Sequence, residues 1–365
     1  MRGFALVGVI LIHIPILTLS HSYTGITDVD LFIRGGYLGL DLFFVLSGFL
    51  ITALLLGEAG DKGTVRFGAF YTRRALRLLP ALYLLLLGYA VYATFSDLDT
   101  GNVWPTTRSA LLYVTNWQIV FDPSSMSEEL IHLWSLAFEE QFYLIWPVTL
   151  IALLRLRLDP RALAGVIALT AAGVALWRAW LWEQGVPWPE LAIRTDARID
   201  AMLIGALVAV LWTRRRTPIR GIDEAAWVAL AVMAWCAYSF DGTEGASYQG
   251  GLSLFHVSSA IVVLAVVNGT WGAVRFFEWT PFRALGRYSY GIYLWHHFIF
   301  FAVSRNAPGL SGAERVIIAL ALSAIAATVS WTLVERPALR LKHRFGGQPL
   351  THGVTTGRRP APRVS

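Results

Sequence analysis

The sequence contains very little cysteine and lysine. Cys236 is the only cysteine among 365 residues, so neither an internal disulfide nor a thiolate metal site is available. The only lysines are Lys62 and Lys342, and arginine therefore carries almost all of the positive charge behind the net charge of +6. The arginines are bunched between long apolar runs. This distribution is typical of the cytoplasmic loops of membrane proteins, and nucleic acid is not a predicted partner.

Apolar residues dominate the composition. They make up 56% of the chain, which also carries 15 tryptophans and has a mean hydropathy of +0.55, and these values indicate that the solvent is a lipid bilayer. We predict one membrane domain over residues 1–337. The first apolar stretch, Phe4 to Leu19, contains His13 and Pro15 and lacks a small-residue cleavage site. We therefore interpret it as a spanning segment rather than a secretory signal.

Long apolar segments predict the fold class. A transmembrane helix needs about 20 mostly apolar residues, and about ten segments qualify. Their apolar character is continuous rather than alternating, which favours helices over the strands of a barrel. The sequence therefore predicts an all-α, polytopic integral membrane bundle of about ten transmembrane helices. The predicted spans lie near residues 3–20, 36–57, 78–96, 133–154, 162–182, 197–213, 225–240, 251–268, 287–304 and 314–334.

The distribution of arginines predicts the orientation in the membrane. Residues 109–121 are apolar but few, and we interpret them as a re-entrant or interfacial segment. With that segment excluded, the basic loops all fall on one side, which the positive-inside rule identifies as the cytoplasm. The prediction is a multi-pass protein of the cytoplasmic cell membrane with both termini inside. The inner arginines are Arg73, Arg74, Arg77, Arg155, Arg157, Arg161, Arg214 to Arg216, Arg283, Arg287 and those of the tail.

The end of the chain differs in composition from the spans. Residues 338–365 are basic, and from Gly346 they are rich in proline, arginine, glycine and threonine, which predicts a disordered cytoplasmic tail. Contact with anionic lipid headgroups and a solvated tail without function are both compatible with this composition.

His13 is the first candidate for a functional residue. Arg2 and His13 are eleven residues apart, which on a helix returns to the same face about 16 Å further along the axis. His13 is therefore predicted to lie deep in the membrane. A hydrogen-bonded histidine in a helix interface is the structural alternative, but an ionisable group at this depth is costly and favours a functional role.

The run from His132 to Pro147 opens the fourth predicted span. His132, Ser135 and Glu139 occur at positions i, i+3 and i+7, so one helical stripe presents an imidazole, a hydroxyl and a carboxylate. Glu140 points about 100° away from that stripe. An interfacial aromatic belt is the alternative interpretation, and it explains the aromatic residues of the run but not its carboxylates.

Further polar residues lie at helix ends or inside predicted spans. Asp41 lies in a segment whose Ser47 and Gly48 allow close helix approach. Ser289, Tyr293 and His296 share one face of the ninth span, whereas His297 is predicted to point elsewhere. Another set enters the sixth span and either lines a site or forms structural ion pairs among its own members: Arg194, Asp196, Arg198 and Asp200.

Arg73, Arg74 and Arg77 lie within five residues on the predicted inner side. Spacings of three and four residues place guanidinium groups on one helix face, where they can clamp a polyanion. Topology explains some of these arginines, but their density exceeds what orientation requires. We therefore predict that they bind phosphate groups.

Several of these segments together resemble acyltransferase family 3. The matching segments follow one another in the family's order over residues 1–337, which makes the resemblance specific. They are Arg2 with ten residues before His13, the block from Gly39 to Ile51, Arg74-x-x-Arg77, the block from His132 to Tyr143, Arg198-x-Asp200, the block from Ser289 to His296, and Glu335-Arg-Pro.

The resemblance implies a ten-helix membrane enzyme that moves an acyl group, commonly acetyl, to a hydroxyl. Members of the family modify O-antigens, exopolysaccharides, peptidoglycan and macrolides. The implied co-substrate is acetyl-CoA or another acyl-CoA, with no metal. The implied acceptor is a glycan, a lipid-linked sugar or a macrolide-type compound that reaches the enzyme at the lipid bilayer.

The resemblance also implies roles for individual residues. His13 is the essential catalytic histidine, and Arg2 is its motif partner. Arg74 and Arg77 belong to the arginine motif associated with the acyl donor. Glu139 corresponds to the invariant acid of its block.

Two departures from the family pattern are visible. Similar proteins usually carry a short lead before the Arg-Gly pair of the first helix, and here Met1 stands where its last residue would be, so we expect the true start upstream or a truncated chain. Some members append a further spanning helix and an extracytoplasmic hydrolase-like domain. This sequence carries neither, which predicts a stand-alone enzyme.

A mechanism follows from these assignments. His13 would act as the base for the acceptor hydroxyl, oriented by Glu139 or Asp200. A covalent acyl-histidine relay is compatible with the same residues. The rival function is a proton-coupled secondary transporter or flippase, although no pair of broken helices in two corresponding halves is visible. Acceptor specificity is expected in the outer loops, residues 97–131 and 241–250.

Overall fold

The computed structural model describes residues 1–18, 30, 33–96, 100–213 and 219–341. Helix is the only regular secondary structure in this part of the chain, and the predicted all-α fold class is confirmed. The predicted inner arginines Arg214 to Arg216 and the tail from residue 342 lie outside the described residues.

Ten helices of twelve or more residues make up the described bundle, and each predicted span overlaps one of them. Shorter helices and helical turns connect them. The ten are α1 (Arg2–His13), α2 (Leu38–Lys62), α3 (Phe67–Phe95), α4 (Leu133–Arg155), α5 (Pro160–Glu183), α6 (Asp200–Thr213), α7 (Ile222–Ser239), α8 (Leu252–Asn268), α9 (Thr280–Asn306) and α10 (Gly312–Ser330).

Six helical segments in the described residues are long and apolar enough to cross a membrane. They are Gly35–Gly60, Phe67–Phe95, Leu133–Arg155, Pro160–Glu183, Ser247–Asn268 and Gly312–Leu341, while Arg2–Thr18 and Asp200–Thr213 are apolar but shorter. The protein is therefore a multi-pass membrane protein. The count of about ten spans stays a prediction.

Two differences from the predicted spans, at α1 and at α3, have local causes. Helix α1 ends at His13 rather than running to residue 20, because Pro15 has no N–H to donate to the Leu11 carbonyl, and the Ile14 N–H donates to that carbonyl over 3.2 Å instead. A separate turn, Pro15–Thr18, follows. His13 thus lies at the end of a helix. Helix α3 begins at Phe67 rather than at residue 78. The prediction missed its first turns because they carry arginines, which lower the local hydropathy although they are helical.

The segment interpreted as re-entrant or interfacial forms two short helices, Val103–Leu111 and Thr115–Phe121. Tyr113 lies between them with a positive φ of 54°. Neither helix approaches the ~20 residues of a span. At the other end of the chain, the predicted domain boundary at residue 337 falls inside a short helix, Arg336–Leu341.

Helix α1 packs between α2 and α9, and this position carries His13 into the bundle. Gly3 permits the contact with α9, since a Cβ atom at this position would lie 2.3 Å from the Phe282 carbonyl oxygen. One apolar core lies mainly among α2 and α4 to α8, and a second lies among α3, α9, α10 and the first turns of α4. Polar side chains that project from α1, α2, α4 and α9 meet between these cores.

Helices α2 and α6 approach closely at Gly48. A Cβ atom at Gly48 would lie 2.0 Å from the carbonyl oxygen of Met202, which as backbone cannot swing away. We expect Gly48→Ala to lower the thermal unfolding midpoint in detergent, because overpacking of this kind costs about 1–3 kcal/mol. Gly57→Ala is the matched control on the same helix, where an added Cβ meets nothing within 4 Å. Equal midpoints for the two variants would contradict the close contact.

Candidate active site

Four histidines from three helices meet inside the bundle. We call His13 of α1, His296 and His297 of α9, and His132 at the start of α4 the histidine cluster. The ring centroid of His13 lies 5.1 Å from that of His296 and 4.8 Å from that of His297. His132 stacks on His297 at 4.7 Å and lies 5.5 Å from His296. All four rings therefore belong to one contiguous group.

Each ring of the histidine cluster donates one N–H to a backbone carbonyl. A carbonyl oxygen can only accept, so the nitrogen that contacts it must carry the proton. The other nitrogen of each neutral ring is then an acceptor. The bonds are His13 Nδ1 to Val9 O at 2.6 Å, His132 Nε2 to Leu294 O at 3.2 Å, His296 Nδ1 to Tyr293 O at 2.7 Å and His297 Nδ1 to Glu129 O at 3.0 Å.

Exposure separates His13 from the other three histidines. His132, His296 and His297 are at most 3% exposed, whereas His13 is only partly buried. The Nε2 atom of His13 carries a lone pair, because Nδ1 holds the proton that binds Val9. His13 is thus the one partly exposed member of the cluster, and no hydrogen bond to its Nε2 atom occurs within the described residues.

A cavity lies along α1 between Arg2 and His13. Two α1 residues, Leu6 and Val9, form one wall, and the polar wall comes from α4 and α9. The tyrosine hydroxyl of Tyr293 donates to the His132 carbonyl over 2.6 Å and accepts from Ser135 over 2.6 Å. The full lining is Leu6, Val9, Leu40, Phe43, Phe44, Ser135, Leu136, Glu139, Ser289, Tyr290 and Tyr293.

Glu139 lies on the α4 side of the cavity. Its Oε1 atom accepts hydrogen bonds from Ser47 over 2.5 Å and from Tyr143 over 3.4 Å. Neither bond leads to His13. Glu139 therefore shares the cavity wall with Ser135 and Ser289 but is not the hydrogen-bonding partner of the histidine.

The predicted arginine clamp is only partly available for a ligand. The Arg74 guanidinium binds both carboxylate oxygens of Glu140, with Nε to Oε2 at 2.8 Å, and lies 3.2 Å over the Tyr143 ring centroid. Arg73 forms an ion pair with Glu58 at 3.4 Å. Two of the three arginines are thus bound to carboxylates, and phosphate binding by the three stays a prediction.

Arg77 and Arg2 differ from these two arginines. Arg77 is exposed and makes no hydrogen bond or salt bridge within the part of the chain that the structure describes, although it lies in electrostatic range of Arg2, Arg74 and Glu139. The Nε atom of Arg2 is buried and has no hydrogen-bond partner among the described residues, and its Cζ atom lies 5.4 Å from the Phe43 ring centroid. We call Arg2, Arg74 and Arg77 the arginine group. Three cations held close together favour an anion between them.

A second set of charged residues lies in the apolar core formed mainly by α2 and α4 to α8, and we call it the ionic network. Asp41 accepts from Arg198 over 2.5 Å and faces His256 Nε2 at 2.8 Å. Asp200 faces His256 Nδ1 at 3.1 Å and accepts from Arg178 over 2.8 Å. All five side chains are at most 4% exposed. The network joins α2, α5, α6, α8 and the short helix Thr195–Arg198.

Two predictions about the site are wrong: the direction of His297, and the orientation of His13 by Glu139 or Asp200. His297 does not point elsewhere: α1 ends between two successive side chains of α9, so His296 and His297 both contact His13. Asp200 does not orient His13, because its oxygens bind Arg178 and His256. Glu139, which binds Ser47, does not orient it either.

The remaining predicted lining residues divide between two places. Ser135, Glu139, Ser289 and Tyr293 line the cavity, and His132 and His296 belong to the histidine cluster. Asp41, Arg198 and Asp200 belong to the ionic network and do not line the cavity. Arg194 pairs with Glu190 and Asp196, whereas Arg198 and Asp200 find partners on other helices.

Sequence reasoning missed His256 and Arg178. Both occur inside apolar runs, so the argument that singled out His13 applies to them equally. His297 was dismissed on helical periodicity alone. Among the described residues, no group of three or more His, Cys, Asp or Glu side chains is arranged to hold a metal ion.

The fold and this site define an all-helical integral membrane protein whose bundle holds a histidine cluster, an arginine group and a mainly apolar cavity to which Ser135, Glu139 and Tyr293 contribute polar side chains. The family model described as "Acyltransferase domain" matches residues 1–335. The chain therefore belongs to acyltransferase family 3, as its sequence motifs predicted.

Curated relatives carry related names. The chain is 29% identical over 355 residues to the peptidoglycan O-acetyltransferase OatA of Listeria monocytogenes, a match that covers 92% of this chain and 54% of that protein. It is 31% identical over 353 residues to a Bacillus subtilis protein named as a candidate peptidoglycan O-acetyltransferase, with the same two coverages. A candidate O-acetyltransferase of Staphylococcus aureus is 30% identical, with 92% and 56% covered. The chain thus spans little more than half the length of these relatives. No solved structure matches it.

Proposed function

We propose that the protein is an integral membrane O-acyltransferase that moves an acetyl group from acetyl-CoA, or another acyl group from its CoA thioester, to a hydroxyl of a carbohydrate or glycosylated small molecule. The observation that carries this proposal is His13. It is the one partly exposed member of the histidine cluster, and its Nε2 lone pair accepts no hydrogen bond from the described residues. Membership of an acyltransferase family supports the same reaction class.

The donor would bind through the arginine group. Arg77 is exposed without a carboxylate partner among the described residues, and Arg2 keeps a buried Nε–H without an acceptor. These two cations could bind the phosphates of an acyl-CoA, while Arg74 is held by Glu140. The acyl thioester would then extend along α1 towards His13, about 16 Å away on a helix with 1.5 Å rise per residue. The cavity occupies this interval.

The reaction needs a base and a place for the acceptor. His13 Nε2 would take the proton of the acceptor hydroxyl while its oxygen attacks the thioester carbonyl. The C–S bond then breaks, and the thiolate leaves and is protonated. Transfer from a thioester to an alcohol releases one equivalent of free CoA thiol.

The setting of the reaction follows the predicted orientation. We propose one membrane domain over residues 1–337 in the cytoplasmic membrane, with both termini in the cytoplasm and the donor bound from that side. Two relatives whose names refer to peptidoglycan favour a cell-wall glycan as the acceptor. A lipid-linked sugar and a macrolide-type compound are the other proposed acceptors, since each offers a hydroxyl group on a sugar.

Thiol release tests the proposed function directly. We expect the purified protein in detergent to release CoA thiol from labelled acetyl-CoA and to pass the label to a glycan acceptor. A proton-coupled transporter or flippase would do neither, so binding of the acceptor without thiol release would refute the proposal.

Arg77 provides the specific prediction for the donor site. We expect Arg77→Gln to raise the KM for acetyl-CoA at least tenfold with little change in kcat, because charge-assisted hydrogen bonds contribute about 1.5–3 kcal/mol. Arg66→Gln is the matched control, since Arg66 is an exposed arginine at the start of the same helix. An unchanged KM in Arg77→Gln would contradict the donor site.

A further inference from the structure

A histidine base needs a partner that fixes its tautomer and stabilises its protonated ring. In hydrolase triads a buried carboxylate does this. Here neither Glu139 nor Asp200 contacts His13, and the ring instead contacts other histidines. A group other than a carboxylate must therefore position His13 in this fold. This inference rests on the proposed function, in which His13 is the base.

We propose that His296 is the positioning residue of His13. Its Nε2 atom lies 3.4 Å from His13 Nδ1. The Nδ1 atom of His296 donates to the Tyr293 carbonyl over 2.7 Å, which leaves Nε2 as the acceptor. The His13 Nδ1–H is thus shared between the Val9 carbonyl and His296 Nε2. Hydrogen bonds of this kind are often long without substrate and tighten in the complex.

The proton balance assigns His296 a supporting role. When His13 Nε2 accepts the proton of the hydroxyl, the ring becomes an imidazolium and its Nδ1–H becomes a stronger donor. His296 Nε2 stabilises that charge by accepting the hydrogen bond. The Nδ1 proton stays on His13, because the Val9 carbonyl, 2.6 Å away, also requires a donor there. After transfer, His13 returns the Nε2 proton to the leaving thiolate or to water.

The surroundings hold His296 in this orientation. Its side chain is fully buried and packs edge-on against Phe300 at 5.8 Å between ring centroids. Tyr293 and His132 lie on other sides of the ring at 5.5 Å each. No carboxylate of the described residues forms a salt bridge with any ring of the histidine cluster. A neutral imidazole acceptor avoids the cost of burying a carboxylate inside the membrane.

Two substitutions separate the positioning role from a structural one. His296→Asn places an amide N–H where Nδ1 donates to Tyr293 but removes the Nε2 acceptor. His296→Gln places an amide oxygen near the Nε2 position and can still accept from His13. We expect His296→Asn to lower kcat at least tenfold with an unchanged KM for acetyl-CoA, and His296→Gln to retain most of the wild-type kcat.

The outcomes distinguish this inference from the proposed function. If wild-type protein releases no thiol, the proposed function fails before any variant is compared. If wild type is active and His296→Asn matches it, or if the Asn and Gln variants lose kcat equally while both unfold at the wild-type temperature, the positioning role is refuted. Should His296→Asn not fold, His296→Met replaces it, since it fills the site without a strong acceptor, and the comparison with His296→Gln decides in the same way.

Discussion

His13→Asn protein is expected to insert into the membrane and fold but to transfer no measurable acyl group. The asparagine amide can keep the hydrogen bond that His13 Nδ1 makes to Val9, so the end of α1 retains its anchor. The variant lacks a basic nitrogen, and a positioned general base contributes about 10²–10⁴-fold to a rate. The loss should appear in kcat, measured as thiol release from acetyl-CoA.

The reason for so large an effect is that no neighbouring group among the described residues is free to replace His13. His132, His296 and His297 are at most 3% exposed, and each donates a hydrogen bond from one ring nitrogen to a backbone carbonyl. Glu139 reaches the cavity but is bound by Ser47. A second base would have to leave its own partners before it could reach the acceptor.

His13→Ala should be equally inactive and serves to exclude an effect of the asparagine itself. Membrane extraction and the thermal midpoint report insertion and folding, and both should match wild type for His13→Asn. Full activity in either folded variant would remove His13 from the mechanism.

Arg178→Met protein is expected to be severely destabilised. Arg178 is fully buried and donates to Asp200, to the Ala197 and Tyr248 carbonyls and to Ser253. Methionine keeps the apolar stem and removes every donor. Breaking a buried ion pair by deleting one partner costs about 3–5 kcal/mol, because the remaining charge stays buried. Thermal unfolding in detergent should show the loss as a much lower midpoint or as aggregation.

Arg194→Met is the matched control for a less buried pair. Arg194 is 19% exposed and pairs with Glu190 and Asp196 at 2.6 and 2.8 Å. Pairs near the surface contribute about 0–1 kcal/mol, so this variant should unfold close to wild type. Adding Asp200→Asn to Arg178→Met should recover part of the loss, since the uncompensated carboxylate is then gone. A midpoint for Arg178→Met equal to that of Arg194→Met would show that the ionic network does not stabilise the fold.

The sequence predicted the helices well where apolar composition alone defines them. The predicted spans 133–154 and 251–268 agree with Leu133–Arg155 and Leu252–Asn268 to within one residue at each end. The prediction failed where polar residues are helical, as at the start of α3, or where proline breaks an apolar run, as at Pro15. Hydropathy reports the cost of transfer into lipid, and it does not report backbone hydrogen bonding.

The site was only partly predictable from the sequence. The depth argument selected His13 as a candidate, and the stripe of α4 selected Ser135 and Glu139, which line the cavity. Helical periodicity gave the wrong answer for His297, because it compares side chains on one helix. His13 comes from another helix and lies between two faces of α9, so both His296 and His297 contact it.

By itself the sequence determined that this is a helical membrane protein of an acyltransferase family with a histidine in its first apolar segment, since composition, apolar run length and local motifs are properties of single segments. Only the tertiary structure decided which charged groups are bound to each other. It assigned Arg74 to Glu140, Asp41 and Asp200 to His256, and His13 to His296. Partners of this kind come from helices far apart in the chain, and packing alone brings them within hydrogen-bonding distance.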